Sequence, residues 1–448
     1  MTDHDELTAL AAEAYVYGYP LVYNAAMIAQ LGHGGFGSIP GGPPNTFGHA
    51  DRLASPGDEF VSVNNDTVYS IAWLDLSGGP LLLRVPDTGG AYYVLQFVDA
   101  WTNNFAYIGR RATGTGEGTY LVTPPGWTGT PPDGARVVEA PEYMCVIVGR
   151  FACDGPDDLP RVAALQQGLT LAPHGTPGPL TGLPAPDHAA RHDLAFWEQL
   201  RVLMAAFPPG EDEGDHQMRF AALGLLHEGA TPYRDTSDAL AAALVHGLAL
   251  GKEHVEGAAR SGFGDRRGDS TWQMALHAFD YNLDHLGLGC VDSPDWKTPG
   301  RHAAHLARAA AARAGLWGNH GYEAAYAVTF TDADGETLDG GNTYTLTFPS
   351  PPPVDAFWSI TMYDTPDYYL VDNAANRYSI GDRTPGLVYE DDGSLVVYLQ
   401  HTLPVEGEAA NWLPTPAGGF RPMLRMYQPG KDVLEGHYLP PDIRRTVL

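Results

Sequence analysis

The spacing of apolar residues changes along the chain and divides it into four regions. Apolar positions recur at helical spacing in an opening and a central segment, whereas two other segments contain short apolar runs bounded by Gly, Pro and Asp. Helical spacing is typical of amphipathic helices, and short bounded runs are typical of strands. The pattern predicts an N-terminal helix and Gly/Pro-rich loop at 1–59, an N-terminal β lobe at 60–154, a helical region at 155–321 and a C-terminal β lobe at 322–448.

The opening segment, "DHDELTALAAEAYVYGYPLVYNAAMIAQ", predicts a helix with one apolar face. Gly18 and Pro20 lie inside it, and proline removes a backbone donor from a helix, so we expect a kink or break there. From Gly32 to Asn45 the chain is rich in Gly and Pro and is expected to be a loop. Further helices are predicted from "HDLAFWEQLRVLMAAF", "DALAAALVHGLALGKEHVE" and "RHAAHLARAAAARAGL".

Five short runs predict the strands of the N-terminal lobe: "TVYSIAWLDL", "LLLRVP", "YYVLQFVDA", "TYLVTP" and "YMCVIVGRF". Their spacing favours a β-sandwich or barrel. In the C-terminal lobe, "YAVTFTDADGETLDGGNTYTLTF" predicts a hairpin region, followed by "AFWSITMYD", "LVVYLQHT" and "FRPMLRMYQP". The fold class expected from the pattern is mainly β with a helical segment.

Several longer motifs resemble two bacterial families. "AYVYGYPLVY", "NNDTVYSIAWLDL", "YYVLQFVDAWTNNFAYIGRRATG" and "YLVTPPGW" resemble domain of unknown function 1254. "PPPVDAFWSITMYD", "DNAANRYSIGDRT", "DDGSLVVYLQ", "NWLPTPAGGFRPMLRMY" and "YLPPDI" resemble its usual companion, domain of unknown function 1214. The resemblance implies a sandwich-like N-terminal lobe, a central helical region and a jelly-roll-like C-terminal lobe, and it implies little about a reaction.

The charge balance limits the classes of partner. The 448 residues include 26 basic and 54 acidic side chains, a formal net charge of −28. Nucleic acids and anionic membranes are bound by surfaces rich in Lys and Arg, so neither is expected as a partner. A small-molecule substrate is expected instead, and a homo-oligomer interface is an open alternative.

The start of the chain and the cysteines bear on its location. "MTDHDELTALAAEAYVYGYPLVYN" is acidic where a signal peptide is basic, and no apolar run of about 18 residues predicts a membrane span. Cys145, Cys153 and Cys290 are too few for a disulfide framework. Many relatives in the two families look exported, but this sequence shows no leader, so we expect a cytoplasmic protein.

Two strand ends in the N-terminal lobe carry unusual polar and aromatic clusters. In "VNNDTVYSIAW" the polar group is Asn65 and Asp66, with Tyr69 and Trp73 in the strand that follows. In "VDAWTNN", Asp99 is followed by a second group made up of Trp101, Asn103 and Asn104. Loops at strand ends are favoured positions for ligand sites, although Asn and Asp also form ordinary turns. Both interpretations stay open, with Asp66 and Asp99 as candidate acid–base groups and Tyr69 as a candidate proton donor.

Alternation along the C-terminal strands separates polar from apolar faces. In "FWSITMYD", Tyr363 shares a face with Ser359 and Thr361, and Trp358 lies on the other. "LRMY" pairs Arg425 with Tyr427. Such faces either line a polar cavity or face solvent. Tyr363 is a candidate catalytic residue, and the C-terminal candidates for substrate binding are Trp358, Arg377, Trp412 and Arg425.

Motifs for metals and cofactors are weak or absent. His302 and His305 form an HxxH pair without HExxH or further ligands, and "TDADGETLD" has only the start of a calcium loop. No GxSxG, GxxxxGK[ST] or strand-linked GxGxxG is found. We therefore expect no metal and no cofactor. The favoured function is a cofactor-independent hydrolase, lyase or isomerase acting on a small polar or anionic metabolite. The alternatives are a carbohydrate or small-molecule binding protein, a metal-dependent hydrolase and an assembly protein.

Overall fold

A computed structural model describes residues 3–58, 61–210, 213–260, 264–405 and 407–446. The predicted boundary between the first two regions, at residues 59 and 60, lies outside the described residues. The helices within these ranges are α1 Asp3–His33, α2 Leu159–Gly168, α3 Ala195–Ala206, α4 Gly214–Met218, α5 Asp238–Arg260, α6 Arg301–Gly315 and α7 Lys431–Leu434.

The strands, β1 to β21 in chain order, fall into two parts of the chain. In the first part of the chain they are β1 Gly35–Phe36, β2 Ile39–Pro40, β3 Gly48–His49, β4 Thr67–Asp75, β5 Leu81–Val85, β6 Tyr93–Asp99, β7 Asn104–Gly109, β8 Gly118–Thr123, β9 Arg136–Glu139, β10 Met144–Ala152 and β11 Thr170–Pro173. In the second part they are β12 Asp265–Arg266, β13 Gln273–Met274, β14 Ala324–Val328, β15 Thr343–Phe348, β16 Val354–Asp364, β17 Ser379–Gly381, β18 Leu395–Gln400, β19 Trp412–Pro414, β20 Phe420–Pro429 and β21 Arg444–Thr446.

Two sheets build the N-terminal lobe. One has the strand order β3-β4-β10-β6-β7, and the other has the order β11-β5-β8-β9. Apolar residues from both sheets, including Leu83 and Val122 in one and Val68 and Leu95 in the other, share one buried core. Strand β10 is central and buried along its whole length, because it is covered on both faces.

The C-terminal lobe repeats this two-sheet plan. Its larger sheet has the order β12-β13-β14-β20-β16-β17, and its smaller sheet has the order β19-β18-β15-β21. Trp358 and Leu424 from the larger sheet pack with Leu346 and Val397 from the smaller one. Two sandwich-like β lobes with a helical region between them confirm the predicted fold class.

The first helix is continuous, so the predicted break is wrong. Helix α1 runs from Asp3 to His33 with Pro20 inside it. A Cβ atom on Gly18 would lie 2.3 Å from Leu200 Cδ1, so glycine permits close approach of α3. Packing against α3, α5 and α6 holds the helix together despite the missing donor. The three central helices predicted from the sequence are confirmed as α3, α5 and α6.

Two other local expectations hold only in part. The segment from Gly32 to Asn45 includes the end of α1 and the paired strands β1 and β2, in addition to loop. The region predicted as a hairpin after Tyr322 contains a tight antiparallel turn, in which Thr331 is bridged to Thr337, but its longer strands β14 and β15 belong to different sheets. The chain crosses between the sheets there, through a turn in which Asp332 Oδ1 accepts the backbone N–H groups of Asp334 and Glu336.

Both lobes also recruit strands from the central region. Strand β11 joins β5 at the edge of the N-terminal lobe, and β13 joins β14 in the larger C-terminal sheet. Among the described residues, no helix is long and apolar enough to cross a membrane.

Candidate functional site

The larger C-terminal sheet has a second buried face, which lies against the N-terminal lobe. Because side chains alternate along a strand, Arg421, Met423, Arg425 and Tyr427 lie on the same face of β20, opposite to the sandwich core. All four side chains line one cavity between the lobes. The polar strand face predicted from the sequence is therefore buried at a lobe interface.

The "VNNDT" segment forms the N-terminal side of this interface. Asn64 Oδ1 accepts the backbone N–H groups of Asp66 and Thr67, both at 3.1 Å, and so fixes the turn that enters β4. This leaves the Asp66 carboxylate free to cross to the other lobe. Its Oδ2 accepts hydrogen bonds from Ser359 Oγ at 2.7 Å and Tyr427 OH at 3.1 Å. Asp66 thus links the two lobes through hydrogen bonds.

The cavity between the lobes has a volume of about 130 Å³. Its walls come from the β4 entry, β10, the C-terminal ends of α5 and α6, and strands β14 and β20. Most lining side chains are apolar or aromatic, and the polar ones converge from both lobes. The polar and aromatic side chains of the lining include Asn64, Tyr69, Arg150, Phe279, Asn319, Tyr326, Tyr368, Arg421, Arg425 and Tyr427.

Two of the lining arginines are held by neutral partners. Arg150 donates to Gln96 Oε1 and to the Trp317 carbonyl, each at 2.7 Å. Arg425 donates to Thr361 Oγ1 and to the Tyr363 hydroxyl, also at 2.7 Å. All of these acceptors are carbonyl, amide or hydroxyl oxygens. The guanidinium groups are fixed in place, but their charges are not neutralised by these contacts.

Arg421 is less completely paired. Its Nη2 donates to Ser62 Oγ at 2.5 Å, and its guanidinium carbon lies 4.0 Å from the centre of the Tyr368 ring. Its Nε is buried without a hydrogen-bond partner among the described residues, although the side chain is only 7% exposed. Burial lowers the pKa of Arg421 to about 10, so the group stays charged near neutral pH.

A second unpartnered donor lies on the same cavity. Asn319 is 1% exposed, and its Nδ2 is buried without a partner among the described residues. Its Oδ1 accepts a long hydrogen bond of 3.5 Å from Arg150 Nη1. Buried donors are costly unless an acceptor satisfies them. Arg421 and Asn319 therefore place two buried, unpartnered donors in the wall of this cavity.

Two tyrosines of the cavity differ in what their hydroxyls do. The Tyr427 hydroxyl donates to Asp66, and burial together with the Asp66 charge raises the pKa of Tyr427 well above its usual value. It is therefore a fixed donor. Tyr69 instead accepts a hydrogen bond of 2.7 Å from Asn64 Nδ2, and the Arg150 guanidinium lies 5.4 Å from the centre of its ring. Its own proton has no acceptor among the described residues.

Of the candidate residues predicted from the sequence, the structure brings Tyr69 and Arg425 to the cavity. Asp66 and Tyr363 lie directly behind its wall. The Tyr363 hydroxyl donates to the Val63 carbonyl at 2.6 Å and accepts a hydrogen bond from Arg425. Tyr363 therefore holds that arginine in place. Asn65 donates to the Ala54 carbonyl at 2.6 Å and holds the loop before β4.

The other N-terminal candidates lie elsewhere. Trp73 donates to the Gly42 carbonyl, and Trp101 donates to the Phe207 carbonyl. Asn103 binds both carboxylate oxygens of Asp99, through its backbone N–H and its Nδ2, each at 2.8 Å. Asn104 donates to the Gly318 carbonyl at 2.9 Å and so positions a backbone segment of the cavity without lining it.

Three C-terminal candidates also lie outside the cavity. Trp358 packs in the sandwich core, 5.0 Å from the ring centre of Phe348. Arg377 donates to the carbonyls of Ala409, Ala410 and Trp412, so it holds a loop. Trp412 donates to the Gln400 carbonyl at 2.8 Å.

Asp99 belongs to a second buried cluster, far from Asp66. In the register of β10, Asp99 is opposite Cys145, whereas Thr67 is opposite Ala152. Seven residues of a strand span about 24 Å, so the two aspartates lie at opposite ends of the sheet. Burial raises the pKa of Asp99 to about 6, and burial together with the Asp99 charge raises the pKa of Glu142 well above its usual value.

Several cavity residues were missed by the sequence predictions. Arg421 shares the alternation of Arg425 and Tyr427 in "FRPMLRMY", and that signal was available. Arg150 lies within an apolar run that predicts a core strand, and Asn319 lies in a short loop after α6. The local sequence pattern therefore marks neither residue as part of a site. No group of three or more His, Cys, Asp or Glu residues suited to a metal ion occurs within the described ranges.

Comparison with known proteins identifies the family and the fold. The family described as "Protein of unknown function (DUF1254)" matches residues 44–173, and "Protein of unknown function (DUF1214)" matches residues 323–431. The solved structure of the VPA0106 protein from Vibrio parahaemolyticus is similar, with 21% identity and a TM-score of 0.70. The match covers 98% of this chain and 100% of that one, and it shows a shared fold.

A second solved structure, of an uncharacterized protein from Burkholderia cenocepacia, has 12% identity and a TM-score of 0.44. That match covers 100% of this chain and 95% of the other. No curated protein matches the chain. The two family matches lie in the two β lobes, in the order expected from the sequence motifs, and the chain belongs to the proteins that join a DUF1254 domain to a DUF1214 domain.

Proposed function

We propose that the protein is a cofactor-independent enzyme that binds a small carboxylate-bearing metabolite in the cavity between its β lobes. Tyr69 is the group proposed to transfer a proton. Lyase or isomerase chemistry is favoured over hydrolysis, because a tyrosine hydroxyl is suited to moving a proton within a bound molecule.

The observation that carries the proposal is the positive charge that arginines bring to the cavity wall. Arg421 Nε and Asn319 Nδ2 are buried donors without partners among the described residues, and Arg150 and Arg425 are held by neutral oxygens. An isolated buried charge is strongly disfavoured, so proteins pair it or use it in a binding site. Guanidinium groups match carboxylates in geometry and charge, which supports a carboxylate as the ligand.

The position of Tyr69 supports a chemical step. It lines the cavity, it receives a hydrogen bond from Asn64, and its hydroxyl proton is free to be given to a bound molecule. Asp66 and Tyr363 do not line the cavity, so they are positioning residues in this proposal. Asp66 orients Tyr427, and Tyr363 orients Arg425.

Titration calorimetry with matched neutral ligands tests the binding step. We expect propionate and butyrate to bind and the corresponding amides to bind at least tenfold more weakly. Arg421→Met removes an uncompensated guanidinium and should abolish this preference. Arg84→Met removes an exposed arginine of β5 and serves as the control. Equal affinity for acids and amides in the unmodified protein would contradict the proposal.

The chemical step needs a substrate, which a screen of carboxylate metabolites with mass-spectrometric detection would supply. Once turnover is found, Tyr69→Phe should lower kcat by about 10²-fold or more while KM changes little, because only the hydroxyl is removed. Tight binding without any turnover across the screen would favour the alternative, a small-molecule binding protein.

A further inference from the structure

A second cavity adjoins the first. Its volume is about 240 Å³, and it lies between α1, the β1–β2 hairpin and strands β4 and β10. Most of its lining is apolar, including Met27, Phe36, Ile39, Ile71, Val148 and Trp317. The cavity therefore suits the apolar part of a molecule.

The second cavity contains one arginine of its own, but that charge is paired. Arg52 makes a two-point ion pair with Asp58, with Nη2 of the arginine 2.9 Å from Oδ1 of the aspartate. The uncompensated donors, Arg421 and Asn319, line only the first cavity. The two cavities are thus electrostatically different, and an anionic group is favoured in the first.

Four side chains line both cavities and form their common boundary. They are Val63, Tyr69, Arg150 and Leu316. The guanidinium of Arg150 is hydrogen-bonded to Gln96 and to the Trp317 carbonyl and lies 5.4 Å from the centre of the Tyr69 ring. The rest of the boundary consists of two aliphatic side chains and the Tyr69 ring, which present no charge to an alkyl or aryl chain passing between the cavities.

Size also argues for joint use of the two cavities. Ligand sites typically have volumes of about 300–1,000 Å³, and each of these cavities falls below that range. Together they reach it. A molecule confined to the first cavity would leave the apolar lining of the second unused.

We propose that the ligand is a single amphipathic carboxylic acid whose carboxylate lies in the first cavity and whose apolar chain passes Tyr69 into the second. This inference rests on the proposed function and adds the class of substrate. It places the atoms nearest the carboxylate beside the Tyr69 hydroxyl. A proton transfer by Tyr69 would then occur close to the head of the molecule.

A chain-length series tests this inference. Straight-chain carboxylates from acetate to decanoate are titrated into the full-length protein and followed by calorimetry. Burial of each added methylene should tighten binding about three- to fourfold over the middle of the series, until the second cavity is full. Flat affinity from acetate to decanoate would overturn the inference. Absence of binding by every member would overturn the proposed function as well, so the two failures are distinguishable.

Variants of residues that line the second cavity test whether the alkyl chain of the ligand lies there. Ser38 lines only the second cavity, and Ser38→Phe should fill it, removing the gain for long chains without changing the affinity for acetate. Ser38→Ala is the matched control. Met27→Ala enlarges the same cavity and should move the optimum to longer chains, which keeps the test available if the phenylalanine variant does not fold. An unchanged series in both Ser38→Phe and Met27→Ala would contradict the proposed path.

Discussion

The Tyr427 hydroxyl donates a hydrogen bond to the Asp66 carboxylate across the lobe interface, at 3.1 Å and between residues 361 positions apart in the chain. The same carboxylate oxygen accepts Ser359 Oγ at 2.7 Å. One aspartate of the N-terminal lobe therefore holds two strands of the C-terminal sheet. This contact fixes Tyr427 at the edge of the cavity, so the integrity of the site depends on a residue that does not line it.

Removal of Asp66 should lower the stability of the protein, and should have a smaller effect on turnover. Asp66→Ala leaves two buried hydroxyls unpaired and should lower the free energy of unfolding by about 2–4 kcal/mol. Asp157→Ala, at an exposed position, should change it by less than about 0.5 kcal/mol. Urea denaturation measures both values. A loss of turnover of about 10³-fold with unchanged stability would instead make Asp66 an acid–base group.

Arg421→Met should stabilise the ligand-free protein. The guanidinium is buried with its Nε unpaired, and burial lowers its pKa to about 10. Replacement of a poorly compensated buried charge by an apolar side chain of similar length should therefore raise the free energy of unfolding, by an amount on the order of 1 kcal/mol or more. Thermal unfolding without ligand checks this, with Arg84→Met as the control. Marked destabilisation would show that Arg421 already has a compensating partner.

Asn319→Asp should block anion binding. The new carboxylate would lie within reach of Arg150, whose Nη1 is 3.5 Å from Asn319 Oδ1, and would neutralise part of the positive charge of the cavity. Affinity for a carboxylate ligand should fall at least tenfold, while Gln167→Glu, at an exposed position, should leave it unchanged. Calorimetric titration gives both constants. Unaltered affinity in the Asn319 variant would place the anion elsewhere.

The buried pair of Asp99 and Glu142 should make stability depend on pH. Both carboxyl groups have a raised pKa, about 6 for Asp99, so they bind protons more tightly in the folded than in the unfolded chain. The free energy of unfolding should therefore fall as the pH rises from about 4 through 6, with a contribution of up to about 3 kcal/mol from Asp99. Glu142 contributes in the same direction, because its pKa is also raised.

Glu142→Gln tests the origin of that dependence. The amide oxygen can still accept the Ala100 N–H, which donates to Glu142 at 2.9 Å, but the side chain no longer titrates. Chemical denaturation from pH 4 to 9 should show a shallower fall in stability for this variant than for the unmodified protein. Glu139→Gln, at an exposed position, should behave like the unmodified protein. A profile unchanged by Glu142→Gln would assign the dependence to other groups.

Local alternation in the sequence predicted which side chains share a strand face. The rule separated Trp358 from Tyr363 in β16, and it correctly grouped Arg425 with Tyr427 in β20. It did not predict which face meets solvent and which meets another lobe, because that depends on how the lobes dock. For this reason Trp358, predicted as a site residue, lies in a core, and Arg421 was missed.

Strand direction explains why the two Asn/Asp clusters do not form one site. Strands β4 and β6 both pair antiparallel with β10, so they run in the same direction. Asp66 precedes β4, whereas Asp99 ends β6, and the two residues therefore lie at opposite ends of the sheet. The order of strands in a sheet is a long-range property, and the sequence pattern of each strand contains no information about it.

The location of a bound anion would decide whether the cavity between the lobes is a carboxylate site. A crystal structure of the protein with bromobenzoate, whose bromine is located by anomalous scattering, would show where a carboxylate binds. We predict carboxylate oxygens about 3 Å from Arg421 Nε and Asn319 Nδ2, with the ring directed toward Tyr69. An empty cavity in which Arg421 Nε is paired with a carboxylate of the protein itself would contradict the proposed carboxylate site.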